Sequence, residues 1–558
     1  MDKNEVGFSS KEAGLFMCVD GQEQRISSGL KILGKAADNK GMNPSYVLRL
    51  KPLIGPIRLI ELPLSFTPNA ARVEELLTES GVEIQAGCRR HVLRYIHEDC
   101  PARFFIRSPR EGWVELGKME RAYVIGEKAF SADGETGDVL LGTDVVTCFA
   151  QDGNEVDWLA LTKLCKGNPL MVFSMCAAFS SALLLPLGFD AGFVMFVGPS
   201  STGKTTLLRL ASALYTHPDR LSTWEGTANG IEAEVLHHSD MPMALDEIGQ
   251  CDINVLEGSA YRLTNAASKL RATASGALAA TSRPRTVILS SGEAHAVDLL
   301  RAAGKTVKTG QVVRFISIPV DEPYGAFTNL HGEENSAAFV KRIDRSIRGA
   351  YGHAWPAYVT YVAENQASFP SQFDDVRTRL QKRIGGEFAI DSDDGIIARV
   401  FDRFAMTAFA GFAAIKSGAV AWREEDVVAA VCRAFGLWRT QYLEQTTSPD
   451  NAFINDLRHF LRVNHHRFPP ISDYENSEKS TSFGFAARRR SNESVFYILP
   501  ESMHKQFGKG MTKTDLDRAL RQSGYLIADN RPTKQIHIPG MDNVKMSFYV
   551  IRQSILSD

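Results

Sequence analysis

Cysteine is sparse in this chain, and its spacing excludes two classes of small domain. The 8 cysteines among 558 residues include no CxxC pair. Structural zinc modules need closely spaced ligands, and disulfide-stapled domains are short and rich in cysteine. The sequence therefore predicts ordinary packed cores in a reducing compartment.

Long apolar runs are also rare. The one run that resembles a membrane span, residues 170–185 (LMVFSMCAAFSSALLL), contains three serines and stops at Pro186. It is shorter than the roughly 20 residues that a bilayer requires. The opening sequence MDKNEVGFSSKEAG has no apolar stretch of the kind that a signal peptide needs. We therefore expect a buried helix at 170–185, no membrane association and a cytoplasmic protein.

Charge of one sign does not dominate the chain. The formal net charge is only -2, which gives no whole-chain attraction to nucleic acid. Residues 451–558 nevertheless contain 16 Lys and Arg against 11 Asp and Glu. The C-terminal part is therefore the basic part, and the better candidate for contact with phosphates.

The patterns of apolar residues change three times along the chain, which is too long for a single core. Residues 1–155 contain short strand-like runs between Gly, Pro and Asp turns, which predicts a β-rich N-terminal domain. Residues 156–335 alternate helices with short buried strands, as α/β domains with a parallel sheet do. Residues 336–446 are typical of a helical lid, and residues 447–558 of a winged-helix-like C-terminal domain.

A glycine-rich motif, GPSSTGKT, satisfies the G-x-x-x-x-G-K-[ST] pattern of the P-loop. An apolar strand precedes it and a helical run follows it, which is the context that the pattern requires. In this motif backbone amides wrap the phosphates, Lys204 reaches the terminal phosphates, and the Thr205 hydroxyl binds Mg²⁺. The predicted ATP-binding residues are Gly198, Pro199, Ser200, Ser201, Thr202, Gly203, Lys204, Thr205 and Thr206.

The strands that follow supply the remaining catalytic candidates. Asp246 ends the strand MALD and is expected to complete the Mg²⁺ site, while Glu247 would orient or activate the attacking water. The next strand ends in two serines, of which we predict Ser291 as the γ-phosphate sensor; Ser290 and an ordinary strand-end serine are the alternatives. Arg314 opens the strand RFISIPV and could act on a neighbouring subunit's nucleotide as an arginine finger.

Successive blocks across most of the chain resemble one family. They are WLALTKLCKGNPL, GFVMFVGPSSTGKTT, STWEGTANGIEAEV, ALDEIGQ, KLRATASG, VILSSGE and AGKTVKTGQVVRFISIPV followed by LHG. In this order they resemble the P-loop ATPases catalogued as domain of unknown function 927, found in phage and mobile-element replication proteins. Within the AAA+ class, that family is similar to helicases of the minichromosome-maintenance type. The resemblance implies an α/β fold with an AAA+ P-loop ATPase core and an oligomeric ring, expected to be a hexamer.

The resemblance also implies DNA contacts and a lid residue. The segment LTNAASKLRATASGAL resembles the hairpin that carries a basic residue to DNA in the central pore, and Lys269 and Arg271 take that position. Arg403 resembles the lid arginine called sensor two, with Arg399 one turn earlier as its competitor. The stretch around Lys269 extends to Arg285 without an acidic residue, which suits phosphates, although an ordinary solvated loop is the alternative.

These features predict an ATP-dependent DNA translocase or helicase of a mobile element or prophage, acting as a ring on single-stranded or forked DNA during replication. The second hypothesis is an ATP-dependent DNA-binding switch or loader, or a defence ATPase, without unwinding activity. The third is a nucleic-acid-binding regulator in which ATP hydrolysis serves only assembly. No primase or zinc-binding segment is recognisable before the ATPase blocks, so priming is not expected.

Overall fold

The computed structural model describes most of the chain as two compact units, Met1–Gly436 and Leu437–Asp558. The described residues are 6–117, 120–257, 284–303, 315–387, 395–446, 449–464, 468–471, 484–488, 494–507, 511–537 and 544–556. The division into four domains is finer than this division into two units, and it stays a prediction.

Three sheets form the first part of the larger unit. The first is an antiparallel meander of β1 (Val6–Lys11), β2 (Gly14–Val19) and β3 (Gln22–Ser27). The second has the order β12-β7-β4-β5-β6, from β4 (Gly29–Ala37), β5 (Ser45–Lys51), β6 (Arg58–Pro63), β7 (Phe104–Ser108) and β12 (Val139–Leu141). The third is a meander of β8 (Gly112–Glu115), β9 (Arg121–Ile125), β10 (Lys128–Ser131) and β11 (Gly134–Glu135). Helices Ala70–Glu79 and Arg89–Glu98 lie between β6 and β7.

The alternation of residues along β5 explains how this part folds. Tyr46, Leu48 and Leu50 are buried in one core with residues of both helices. Arg49 and Lys51 point to the opposite face and are exposed. Because successive strand residues face opposite sides of a sheet, this strand has one core face and one solvent face at its end.

A five-stranded parallel sheet forms the centre of the same unit. Its order is β14-β15-β16-β13-β17, with strands β13 (Gly192–Val197), β14 (Ser222–Thr223), β15 (Met243–Asp246), β16 (Val287–Gly292) and β17 (Phe315–Pro319). All four neighbouring pairs are parallel. The continuous burial of β13 and β16 matches their apolar sequences, since helices cover both faces of such a sheet. Every strand of this sheet therefore ends at the same edge.

Helices surround the parallel sheet and continue beyond it. Those around the sheet are Glu155–Leu164, Pro169–Phe179, Leu184–Leu187, Lys204–Ser212, Ala228–His237 and Ala296–Ala302. Those that follow are Ser336–Gly349, Ala354–Asn365, Phe369–Glu387, Gly395–Lys416 and Glu424–Thr446. Within the described residues one helical segment, Pro169–Leu187, is long and apolar enough to cross a membrane, and 83% of its most apolar stretch is buried inside the protein. The segment 170–185 is thus a buried helical segment, as its sequence predicts.

A buried ion-pair cluster joins the N-terminal sheets to the parallel sheet. The carboxylate of Asp240 has no solvent exposure and accepts hydrogen bonds from Arg110 at 2.9 Å and from Arg285 at 2.6 and 2.9 Å. The hydroxyl of Tyr123 donates to the Asp240 carbonyl at 2.7 Å, and the indole of Trp113 donates to the carbonyl of Ala182 at 2.9 Å. The sequence places Arg285 in a stretch suited to phosphates, and the structure corrects this expectation. The Arg285 guanidinium is bound to the buried carboxylate of Asp240, 45 residues earlier in the chain, a contact that the local charge pattern does not reveal.

Replacing Asp240 by Asn removes the negative charge that two arginines share. Breaking a buried ion pair from one side costs about 3–5 kcal/mol, because the partner charge stays buried without compensation. We expect Asp240→Asn to lower the thermal midpoint measured by calorimetry by several degrees. Glu23→Gln is the matched control, since Glu23 pairs with Lys11 at 2.6 Å on the exposed surface, and such pairs contribute only about 0–1 kcal/mol. Equal, small shifts in both variants would show that the Asp240 cluster does not stabilise this junction.

The smaller unit packs helices on an antiparallel sheet. Its helices are Pro449–Val463, Pro500–Phe507 and Lys513–Gln522, and its sheet has the order β18-β19-β21-β20, from β18 (Gly484–Arg488), β19 (Ser494–Ile498), β20 (Lys534–His537) and β21 (Lys545–Arg552). The core lies between them and includes Leu457, Leu516 and Tyr549. Thr512 caps its helix by accepting from the amide of Asp515 at 3.2 Å, so that helix begins where the sequence predicts. The winged-helix assignment stays a prediction.

Candidate functional site

The glycine-rich loop follows β13 at the edge where the parallel strands end, and the last two residues of the motif 198–205 begin the helix Lys204–Ser212. Gly203 and Ser201 have φ angles of 91° and 63°, in the left-handed region that favours glycine. A Cβ atom on Gly203 would lie 2.9 Å from the ring of Phe327, and one on Gly198 would lie 3.3 Å from Val320. At both glycines of the motif the backbone therefore lies close to residues that follow β17, which leaves little room for a side chain.

Lys204 is enclosed by this loop. The residue is only 7% exposed, and its ammonium donates to the carbonyls of Gly198 at 2.8 Å and Pro199 at 2.6 Å. Its hydrogen-bond partners are neutral carbonyls and not a carboxylate. The cation is therefore held inside an amide-rich loop by contacts that an incoming anion can replace.

Three predicted residues, Thr205, Glu247 and Ser291, meet around Asp246 at the end of β15. The Thr205 hydroxyl donates to the Asp246 carboxylate at 3.1 Å, and the Ser291 hydroxyl donates to the same carboxylate. The amide of Glu247 donates to the Ser291 hydroxyl oxygen at 3.1 Å. These contacts follow from the sheet, because parallel strands bring their C-terminal residues to one edge.

The two serines of β16 have different partners. The Ser290 hydroxyl accepts from the indole of Trp224 at 2.9 Å, and both side chains are buried. Ser291 points to the opposite face, towards Asp246. The alternation of the strand thus gives Ser290 a role in the core, and places Ser291 in the candidate site.

Glu247 has an unusual backbone. Its φ of 56° is uncommon for a residue with a side chain. Such a conformation costs about 1–3 kcal/mol and persists only where the surroundings enforce it. Hydrogen bonds from its amide to Ser291 and to Asp246, both at 3.1 Å, enforce it here. A Cβ atom on Gly249 would lie 3.2 Å from the Glu247 carboxylate, so the glycine leaves room for that group.

Sequence reasoning missed the turn after β17 that supports the glycine-rich loop. The amide of Val320 donates to the carbonyl of Val197, and the amide of Ala326 to the carbonyl of Thr202, each at 2.7 Å. Gly325 has a φ of 77°, and a Cβ atom there would lie 2.5 Å from the Thr202 carbonyl oxygen. The signal in the sequence is the Pro-Tyr-Gly turn pattern of DEPYGAF, although nothing local indicates what the turn packs against.

The same turn is bonded to the helix Glu424–Thr446. Glu322 accepts from Nε of Arg433 at 2.7 Å and from the Thr328 hydroxyl at 3.3 Å, and its side chain is only 5% exposed. Arg433 thus connects the predicted helical lid to the turn beneath the glycine-rich loop. Its 111-residue separation from Glu322 explains why no sequence pattern revealed the pair.

Arg403, predicted as the lid sensor, lies at the other edge of the sheet. Its guanidinium donates to the carbonyls of Asp190 at 3.3 Å and Ala191 at 3.1 Å, just before β13 begins. The six residues of β13 span about 20 Å, at about 3.3 Å per residue, between that point and the glycine-rich loop. The structure therefore does not bring Arg403 to the other site residues, because helical periodicity does not reveal which edge of a sheet a helix crosses. Arg399, the competitor, is exposed on the same helix.

Three predicted residues, Lys269, Arg271 and Arg314, lie outside the described residues. Among the described residues no group of three or more His, Cys, Asp or Glu side chains is arranged to hold a metal ion. The Thr205 hydroxyl and the Asp246 carboxylate, 3.1 Å apart, are nevertheless hard oxygen donors. Such a pair fits Mg²⁺, which takes one or two protein ligands and fills its other positions with water and phosphate oxygens.

The support of the loop by Gly325 can be tested by stability. Gly325→Ala and Gly332→Ala both place a Cβ on a residue with positive φ, at 77° and 85°, which costs about 1–2 kcal/mol. Gly332 has open space around that position, whereas Gly325 faces the Thr202 carbonyl. We expect the thermal midpoint to fall clearly further for Gly325→Ala than for its matched control. Equal midpoints would mean that the turn does not restrain the loop.

Comparison with known proteins supports this description of the fold. Residues 16–283 match the family model described as Domain of unknown function (DUF927). No curated protein matches the chain. The solved structure described as "SCCmec type IV Cch - active helicase" is similar with a TM-score of 0.60 and 16% sequence identity, over 99% of each chain. The protein therefore shares a mixed α/β fold with that helicase structure along almost its whole length.

Proposed function

We propose that this protein is an ATP-dependent DNA helicase or translocase of a mobile genetic element, working in the cytoplasm as an oligomeric ring. The family resemblance implies that this ring is a hexamer. The observation that carries the proposal is the meeting of Lys204, Thr205, Asp246, Glu247 and Ser291 at one edge of a parallel sheet. The shared fold with a structure described as an active helicase supports it.

ATP would lie with its phosphates along the backbone of residues 198–206, where every residue except Pro199 has an amide N–H to donate. Lys204 would exchange the carbonyls of Gly198 and Pro199 for phosphate oxygens, which compensates its charge better than neutral carbonyls do. Thr205 and Asp246 would hold the Mg²⁺ that accompanies the nucleotide. When bound, that ion neutralises the phosphate charge that develops during transfer.

Hydrolysis needs a water aligned with the γ-phosphorus. Glu247 would orient this water and accept its proton, as the new P–O bond forms and the bond to the β–γ bridging oxygen breaks, releasing ADP and phosphate. Ser291 would hold both Asp246 and the Glu247 amide in place. The restrained backbone of Glu247 favours a fixed orientation of its carboxylate, which is what alignment of a water requires.

DNA contact and subunit cooperation rest on residues outside the described structure. Lys269 and Arg271 would contact the DNA backbone from a pore loop. Arg314, which directly precedes β17 in sequence, would reach the nucleotide of the neighbouring subunit as an arginine finger. The proposed substrate is single-stranded or forked DNA.

Two substitutions separate binding from hydrolysis. Lys204→Ala should abolish binding of a fluorescent ATP analogue, because the enclosed cation is lost. Glu247→Gln should keep binding but lower the rate of phosphate release by about 10²–10⁴-fold, the usual contribution of a general base. Glu75→Gln, on an exposed helical position, is the control. Hydrolysis by Glu247→Gln at the wild-type rate would contradict the assigned role.

Strand displacement tests the function itself. The purified protein with ATP and Mg²⁺ should release a labelled strand from a forked DNA, and Lys204→Ala should not. The double variant Lys269→Ala/Arg271→Ala should lose displacement while it still hydrolyses ATP, since the pore contact is separate from the nucleotide site. Vigorous hydrolysis without displacement on any fork would contradict the helicase proposal and favour an ATP-dependent switch or loader.

A further inference from the structure

The hairpin of β5 and β6 presents large apolar side chains to solvent. Ile54 is 90% exposed, Leu53 is 63% exposed and Ile57 is 52% exposed. These three residues, here called the apolar tip, lie together in the connection between the two strands. Single exposed apolar residues are common, whereas several exposed large apolar side chains within one short connection, beside polar residues, indicate a candidate interaction site.

Three cations line the exposed sheet face that leads to this tip. Lys31 on β4 lies directly opposite Arg49 on β5, and Arg49 lies opposite Leu59 on β6. Lys51 follows two residues after Arg49 and therefore faces the same side. All three cations are exposed, and together they are called the cation strip.

The opposition of Lys31 and Arg49 is unfavourable for folding. Like charges directly across an antiparallel pair repel each other and destabilise it. Within the described part of the chain neither residue forms an ion pair, and Lys51 donates only to the backbone carbonyl of Glu12 at 3.5 Å. The nearby carboxylate on the same sheet, Glu61, is bound to Arg107 at 2.8 Å. The protein thus keeps a repulsive pair that an external anion would relieve.

We propose that the cation strip and the apolar tip bind a strand of nucleic acid. The phosphates would lie on Lys31, Arg49 and Lys51, and the bases would lie against Leu53, Ile54 and Ile57. Aliphatic side chains are known to wedge against or between bases, and cations supply the affinity for phosphates. This inference rests on the proposed function, because it adds a second DNA contact to the same enzyme, in the N-terminal sheets.

The positive charge of this surface favours a nucleic-acid partner over a protein partner. An apolar tip alone would suit a hydrophobic groove on another protein. An uncompensated strip of cations beside it is complementary to a polyanion. The strip on β4 and β5 leads to the tip between β5 and β6, so a single strand can contact both. The surface thus favours nucleic acid.

The test is binding of a labelled forked DNA to the full-length protein, by fluorescence anisotropy over a range of salt concentrations. Lys31→Gln/Arg49→Gln should weaken binding about tenfold. The slope of log affinity against log salt should become less steep by about 1.4, at about 0.7 for each lost contact to a single strand. Lys382→Gln/Arg383→Gln, two exposed cations on the helix Phe369–Glu387, is the control with the same change in charge and should bind as the wild type does.

The tip is tested separately with Leu53→Ser/Ile54→Ser. This variant should bind DNA several-fold more weakly with an unchanged salt slope, because it removes no charge. The tip variant should retain the thermal midpoint, and the strip variant should have an equal or slightly higher one, because it removes a repulsive pair. Both variants should retain the ATPase rate measured without DNA, since these residues are exposed and lie outside the nucleotide site.

The outcomes separate this inference from the proposed function. If the wild-type protein binds no DNA, the proposed function itself fails. If it binds DNA, but the strip variant keeps the wild-type affinity and salt slope, the strip proposal is overturned and the helicase proposal stands. A third outcome is that either the strip variant or the tip variant forms smaller oligomers than the wild type, while its assembled particles bind DNA with unchanged affinity. That result would identify the surface as a contact between subunits and would also overturn the proposal.

Discussion

The Asp246 carboxylate is the group on which the geometry of the candidate site depends. It accepts hydrogen bonds from the hydroxyls of Thr205 and Ser291, which are neutral donors. The nearby cation, Lys204, bonds to carbonyls of its own loop instead. The Asp246 carboxylate and the Lys204 ammonium thus have separate partners. Neither a metal ion nor a phosphate therefore has to break an ion pair between these two groups before it binds. This separation is what makes the arrangement suitable for a nucleotide with its metal.

The loop is held in this arrangement from both sides of β13. On one side the amide of Gly198 donates to the carbonyl of Gly292 at the end of β16, at 3.2 Å. On the other side the turn after β17 contacts the loop through Gly325 and Ala326. Backbone contacts fix a loop more closely than side-chain contacts do, because they have fewer rotatable bonds. The strand order of the sheet therefore determines the shape of the loop.

Sequence could predict the parts of the site that are continuous in the chain. The strand, the glycine-rich loop and the helix after it form one segment, and Asp246 ends a recognisable apolar strand. The sequence could not predict contacts that depend on which helix or loop lies against which edge of the sheet. Arg403 lies at the far edge of the sheet for this reason, and Arg285 is bound to Asp240. Alternation along β16 also implied that its two serines face opposite ways, but only the packing of Trp224 decides which one faces the core.

The buried pairing at Asp240 gives the N-terminal sheets a mechanical connection to the site. The cation strip lies on β4 and β5, β4 pairs with β7, and the chain after β7 supplies Arg110. Arg285, the other partner of Asp240, stands just before β16, the strand that carries Ser291. Spatial continuity alone does not transmit a force. A buried ion pair adds rigidity, because opening it leaves charges without compensation in the interior. A strand of DNA held on the hairpin would therefore pull on a structure that is firmly joined to the strand carrying Ser291.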